Sequence, residues 1–364
     1  MNIGYIVTDL GWGGTQAWVE YAATELARRG HSIIVFSEHG PHDRGKRLQD
    51  AGIRVYFHDT PPSIRAYAGL IKENQVDIVH LNVWERTEEL ITLGRVAGIS
   101  LALSYHHVPK EFLRQWLTRF LRPRRFLQFI RRLLTLSRNV DAHIGCCKTS
   151  ATGIRQDFWP LMQGRIYALP NAIPLPAMNS LETLHGPSRF LQLGALNSRK
   201  NPMSTLRAFS RIQKRIPDAT LTFIGNGPMR NELETYAAKS GIRDKVRFLD
   251  ETPYASSILS ESNILVLPSV AEGLPYVLIE GAGRGIALIA SDVDGNPEIA
   301  IDRRTGILIA PQDELALESA MLRLAADVDY RVMLGRNGVA LVKEKFNITE
   351  FTKRLLVIYE KMLH

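Results

Sequence analysis

Cysteine is nearly absent: the 364 residues hold two, Cys146 and Cys147. Adjacent cysteines are poorly placed to bridge one another and build no disulfide framework. No apolar run approaches the ~18 residues of a membrane span. The opening residues, Met1-Asn2-Ile3-Gly4-Tyr5-Ile6-Val7, lack the basic start and long apolar core of a signal peptide and read as a first strand. These absences lead us to expect a cytoplasmic protein. Two motifs are missing as well. The first strand-to-helix turn carries neither Gly-x-Gly-x-x-Gly nor a Walker Lys-Ser/Thr, which speaks against nicotinamide-dependent and P-loop chemistry. No Asp, Glu or Cys at metal-ligand spacing accompanies the pair His106-His107, so no metal site is expected there.

Acid is missing from one stretch in particular. No Asp or Glu lies between Glu111 and Asp141, while Arg114, Arg119, Arg122, Arg124, Arg125, Arg131, Arg132 and Arg138 alternate with Phe112, Trp116, Phe120, Phe126 and Phe129. Pro123 separates two amphipathic helices in this segment, 110–140. Paired aromatics and arginines suit helices lying on an anionic membrane surface, with 112–138 as the contact and the protein peripheral on the inner face of the membrane. A solvated hairpin is the plainer alternative. A nucleic-acid partner is not expected, because no recognised binding fold accompanies the arginines. Residues 1–180 hold 22 Lys and Arg against 15 Asp and Glu, so seven of the eight net positive charges belong to the first half.

The length predicts about two domains, each with its own core. Strand patterns at 3–7, 32–37, 53–57, 78–81, 101–105, 142–145 and 166–169 alternate with helical patterns such as 17–29, 64–72 and 88–97. A second series places strands at 190–193, 221–224, 246–248, 264–267, 287–290 and 307–309, and helices at 202–216, 229–239, 275–283, 315–326, 331–345 and 349–363. Alternation of this kind predicts βαβ units and parallel sheets. The fold class is therefore α/β: a Rossmann-like domain over 1–175, a linker over 176–188 and a second Rossmann-like domain over 189–345. Residues 346–364 form a last helix expected to pack back towards the first domain. Ligand is expected at the carboxyl edges of the strands, in a cleft between the domains.

Four strand-end stretches carry chemistry. Gly13-Gly14 lets backbone approach a phosphate closely, though a tight turn alone would also use it. His106-His107 follows the fifth strand. Gly194-Ala195-Leu196-Asn197-Ser198-Arg199-Lys200-Asn201-Pro202 brings a guanidinium and an ammonium, groups that bind phosphate when they are not simply solvated. Ser269-Val270-Ala271-Glu272-Gly273-Leu274-Pro275 places a carboxylate in a loop, with a helix starting near Pro275 and Glu280 within it. Gly225-Asn226-Gly227-Pro228 and Val246-Arg247-Phe248-Leu249 add two further strand ends, and Asp294-Gly295-Asn296-Pro297-Glu298 follows.

Glu272 and Glu280 separated by seven residues, with Lys200, the Gly225–Pro228 turn and the Asp294–Glu298 segment in this order, resemble the donor site of retaining family 4 glycosyltransferases, whose fold is GT-B. The resemblance implies transfer of a sugar from a nucleoside diphosphate, a UDP-sugar favoured over a GDP-sugar, to a hydroxyl of a lipid-linked or polysaccharide acceptor in bacterial surface glycan synthesis. It implies no cofactor and no metal. It makes Glu272 and His106 (or His107) the catalytic residues. It assigns donor binding to Gly13, Gly14, Arg199, Lys200, Gly225, Asn226, Phe248, Gly273, Leu274, Pro275 and Glu280. Ala195 departs from the family pattern, which has Arg there; Arg199 is the candidate substitute. A nucleotide-sugar epimerase of the same architecture and a non-catalytic membrane-associated subunit are the competing readings.

Overall fold

The computed structural model describes residues 1–83, 86–106, 131, 134–158, 165–251 and 255–364. His107 and nearly all of segment 110–140 lie outside them; residues 134–139 are helical. The chain divides into two units, one of Met1–Ala172 with Ile348–His364, the other of Ile173–Asn347.

The first unit is built on seven parallel strands, β1 (Asn2–Val7), β2 (Ser32–Ser37), β3 (Arg54–Phe57), β4 (Ile78–Asn82), β5 (Ser100–Tyr105), β6 (Ala142–Gly145) and β7 (Ile166–Ala168), in the order β3-β2-β1-β4-β5-β6-β7. β4 and β6 are buried along their whole length, as parallel strands covered on both faces are. The order runs one way from β1 to β3 and the other way from β4 onward. The switch point therefore lies between β1 and β4, where strand-end loops diverge and leave a crevice.

The second unit repeats the plan with six parallel strands: β8 (Arg189–Leu193), β9 (Thr220–Ile224), β10 (Val246–Leu249), β11 (Ile264–Leu267), β12 (Ala287–Ser291) and β13 (Gly306–Ile309), ordered β10-β9-β8-β11-β12-β13. Its core joins Phe190, Phe209, Phe223, Leu221, Val266 and Ile289. Here the switch point lies between β8 and β11.

Three elements depart from the sequence reading. The helix expected over 88–97 is two short pieces, Thr87–Leu90 and Leu93–Ala97. The Thr92 hydroxyl donates to the Glu89 carbonyl at 2.7 Å, the local competition by which threonine weakens a continuous helix. Within 176–188 a helix forms at Leu181–His185, capped by Ser180, whose Oγ accepts from the Thr183 N–H. A polar helix, Asp43–Asp50, escapes the periodicity because it buries only Gly45 and Leu48. No helix among the described residues is long and apolar enough to cross a membrane.

The candidate donor site

In the second unit the loops after β8 and β11 meet at the switch point. The Val270 N–H donates to the Arg199 carbonyl at 2.9 Å, tying one loop to the other. Asn201 stands just before the helix Pro202–Ile212 in the left-handed region, φ 49°, which a short polar residue tolerates. Its Nδ2 donates to the Pro268 carbonyl at 3.4 Å. Lys200 is held by its backbone: the N–H donates to Asn197 Oδ1 at 3.1 Å, and its carbonyl accepts from Gln192 Nε2 at 2.9 Å.

This framework sets two charged side chains against each other. Lys200 Nζ donates to Glu272 Oε1 at 2.6 Å, and Arg199 Nη1 stands 4.0 Å from Glu272 Oε2. The Glu272 side chain is 5% exposed and that of Lys200 14%, so the pair is largely withdrawn from water and each partner is the other's nearest compensation. Glu272 is aimed from the other side as well. Its N–H donates to Asp294 Oδ2 at 2.8 Å, and the Gly295 N–H donates to the Gly273 carbonyl at 2.9 Å. The Ser291 hydroxyl donates to the Ser269 carbonyl below. Asp294, which has no role evident from sequence beyond its place in the Asp294–Glu298 segment, is thus the residue that orients the Glu272 loop.

Gly225 and Gly227 bring the loop after β9 against the loop after β8. At Gly225, φ 140°, an added Cβ would lie 2.2 Å from the Gly194 carbonyl oxygen; at Gly227 it would lie 2.4 Å from that of Leu196. Glycine is required there for close backbone approach. Asn226 is exposed on this turn, and its carbonyl accepts from the Leu196 N–H at 2.9 Å. The Phe248 ring is occupied: it stacks on Phe223 at 5.3 Å, with Arg230 and Arg243 over it at 5.6 and 5.8 Å. The Phe248 carbonyl is engaged as well, accepting from Arg230 Nη2 at 3.1 Å. Gly273, Leu274 and Pro275 are buried in the Glu272 loop. Pro275 is the cap of the helix Tyr276–Gly283, and half-buried Glu280 sits in that helix's second turn.

The other assigned residues belong to the first unit. Gly13 and Gly14 are exposed where the helix Gly14–Arg28 begins. His106 follows β5, and its Nε2 lies 3.0 Å from Asn82 Oδ1 at the end of β4. The Asn82 amide is itself oriented by donating from Nδ2 to the His80 carbonyl at 3.4 Å. An amide oxygen only accepts, so this arrangement puts the His106 proton on Nε2. Beneath it, buried His80 bonds Tyr359 Oη through Nδ1 and Ser104 Oγ through Nε2, each at 2.7 Å. Asn82 and His80 carried no signal in the sequence beyond their place on a strand.

The family profile for Glycosyl transferases group 1 matches residues 177–340, and that for Glycosyltransferase Family 4 matches residues 12–175. A UDP-Gal:alpha-D-GlcNAc-diphosphoundecaprenol alpha-1,3-galactosyltransferase of Escherichia coli is 27% identical over 213 residues, 55% of either protein, so the match spans about half of that relative. A glycogen synthase of Mycobacterium tuberculosis is 24% identical over 352 residues, 86% of this chain and 83% of that one. Among solved structures, HepE of Anabaena in complex with UDP superposes with a TM-score of 0.81 at 14% identity, over 99% of this chain and 100% of HepE, a likeness of fold. With both halves matched in order and both sheets of Rossmann type, the chain belongs to the group 1, family 4 glycosyl transferases of GT-B fold.

Proposed function

We propose that the protein transfers a sugar from a UDP-sugar to a hydroxyl of a lipid-linked glycan, with retention of anomeric configuration and without a catalytic metal. The observation that carries this reading is the Lys200–Glu272 pair at the switch point of the second unit, with Arg199 beside it. An ammonium and a guanidinium at a strand end are suited to a diphosphate leaving group, whose growing charge they stabilise without reorganising. Glu272, released from Lys200 as the diphosphate takes the cation, accepts hydrogen bonds from the donor sugar hydroxyls. The amides of Gly273 to Pro275 assist, and Glu280 takes the ribose. Arg199 stands in for the arginine replaced by Ala195. Gly13, Gly14 and His106 are assigned to the same reaction by resemblance.

In the proposed step the bond from the anomeric carbon to the β-phosphate oxygen breaks, and a bond to the acceptor oxygen forms on the same face. The acceptor proton passes to the departing phosphate, so UDP leaves with both electrons of the broken bond and the new glycoside keeps its configuration. The choice of UDP and of a lipid-linked acceptor draws support from HepE, solved with UDP and with UDP-glucose, and from the diphosphoundecaprenol-linked substrate of the Escherichia coli relative.

The test is incubation of the protein in EDTA with UDP-glucose, UDP-galactose or GDP-mannose and polyprenyl-diphosphate-linked N-acetylglucosamine, with the product's anomeric configuration read by NMR. One UDP-sugar is expected to be consumed only with acceptor, giving the retained anomer. An inverted product contradicts the proposed step, and an epimerised sugar formed without acceptor favours the epimerase.

A further inference from the structure

We propose that Trp12, Arg44 and Arg47 of the first unit form a binding subsite for a phosphate-bearing sugar; its assignment to the acceptor rests on the transferase reading. The loop after β1 is pinned on two sides. Asp9 Oδ1 accepts from the Gly11 N–H at 2.8 Å and from Gln16 Nε2 at 3.1 Å, and Arg44 Nε donates to the Gly11 carbonyl at 3.1 Å. Held this way, the loop presents the Trp12 indole outward, 36% exposed, whereas Trp18, which packs the core nearby in sequence, is 2% exposed.

Two guanidiniums lie over the exposed ring, Arg44 at 5.5 Å and Arg47 at 5.7 Å from its centroid. They come from one turn of the helix Asp43–Asp50 and share one carboxylate. Arg44 bonds Glu20 through Nη1. Arg47 bonds it through Nε at 2.6 Å and Nη2 at 3.1 Å. The side chains of Glu20 and Arg44 are 12% and 11% exposed and that of Arg47 is 43% exposed, so a shielded Arg44–Glu20 pair holds Arg47 at the solvent edge of the array. Glu20 is shared by both guanidiniums, and Asp43 of the same helix adds a second carboxylate near Arg47. Arg44 Nη2 and Arg47 Nη1 donate to no partner among the described residues.

The chemistry this array recognises has two parts. A flat indole face receives the apolar C–H face of a pyranose ring. Guanidinium edges at the rim receive an anionic oxygen attached to that ring, in the geometry arginine offers phosphate. A neutral sugar would leave the guanidinium N–H edges without an anionic acceptor, and a bare phosphate would leave the indole uncovered. A glycosyl phosphate satisfies both. The cations assigned to the donor diphosphate, Arg199 and Lys200, are on the other unit, and Gly13 and Gly14 beside Trp12 offer the donor only backbone, so the guanidiniums of this array are assigned to the second substrate.

The probe is N-acetylglucosamine 1-phosphate, titrated calorimetrically into the full chain beside N-acetylglucosamine and inorganic phosphate, with UDP titrated separately. The sugar phosphate should bind more tightly than either fragment. Trp12→Ala and Arg47→Gln should each weaken it about tenfold or more, and Trp12→Phe should restore most of the loss. UDP affinity should be unchanged in all three variants, and each should still unfold cooperatively, Arg47→Gln being somewhat less stable because Glu20 keeps only Arg44. Equal affinity in wild type and Trp12→Ala, or no saturable binding of the probe to the wild type, would overturn the proposal. Loss of UDP affinity in Trp12→Ala would do the same by assigning the array to the donor. Failure of the wild type to bind UDP would instead sink the transferase reading, since the sugar-phosphate titration does not depend on it.

Discussion

Glu272 and Lys200 satisfy each other in the ligand-free protein, and this explains why both can be held in a nearly closed loop at the end of a sheet. Removing one partner strands the other. Lys200→Ala is expected to cost about 3 kcal/mol of stability, by leaving a buried carboxylate with only the more distant Arg199, and to abolish UDP binding. Glu272→Gln keeps the size and loses the charge. It should leave UDP affinity within a few fold while kcat falls about a hundredfold or more, because the lost interaction is one that strengthens as the sugar becomes cationic. Asp294→Ala tests orientation separately from charge. It removes the acceptor of the Glu272 N–H and should cost about 1–3 kcal/mol in thermal unfolding. Activity should then fall with Glu272 still present, and unaltered kcat/KM would show that the loop needs no such support. The sequence placed Glu272 and Lys200 at strand ends, but not their contact, since 72 residues separate them and nothing local encodes the pairing. Asp294 was legible only as part of a Pro–Gly segment, because its role depends on the loop that folds across it.

At the scale of elements, the strands were the most legible feature. β11 and β12 are unbroken apolar runs bounded by Pro268 and Ser291, and hydrophobic runs of that length between turn residues admit few other structures. Helices with weak apolar faces were harder. Asp43–Asp50, which supplies both arginines over Trp12, begins with His42-Asp43-Arg44-Gly45 and shows no apolar periodicity. The last helix, Ile348–Leu363, is bound into the first unit by more than apolar contact. Its Phe351 lies edge-on to Trp18 at 5.6 Å, and its Tyr359 Oη stands 2.7 Å from His80 Nδ1 and 3.1 Å from Tyr5 Oη. Each hydroxyl can donate or accept, so a neutral His80 has both nitrogens satisfied through Tyr359 and Ser104. Tyr359→Phe leaves two buried polar groups without a partner and should cost about 1–3 kcal/mol, read by chemical denaturation. The same variant should leave UDP affinity at its wild-type value. A Tyr359→Phe protein as stable as wild type would mean that apolar packing alone seats the helix.

For the whole molecule, acid should be the condition that undoes the fold first. Burial pushes the fully buried His80 down to about 3, with the neighbouring His106 adding to the effect; burial also pushes His143 down to about 3, with Arg165 adding. Both rings stay neutral in the fold while the unfolded chain protonates them below its ordinary value of about 6.5. The unfolded state then binds more protons, so stability is full above pH 6.5 and falls as pH drops towards 3, by up to about 1.4 kcal/mol per pH unit for each histidine. Denaturation at pH 7 and pH 5 should show the loss, and His80→Gln should remove about half of it; a flat profile would contradict the burial argument. The surplus of positive charge in the first half belongs to 112–138, which lies almost entirely outside the described residues. Its proposed attachment to membranes should appear as co-sedimentation with phosphatidylglycerol vesicles, weakening as salt rises, and not with phosphatidylcholine. Metal-free binding of a nucleoside diphosphate at the Lys200–Glu272 loop pair is measured by thermal unfolding with UDP, GDP and ADP, each in magnesium and in EDTA. At ligand near 100 times Kd, UDP should stabilise the protein by about 2.7 kcal/mol, equally in EDTA, and the shift should vanish in Lys200→Ala. No shift with any nucleotide, or a shift that needs magnesium or survives in Lys200→Ala, would contradict it.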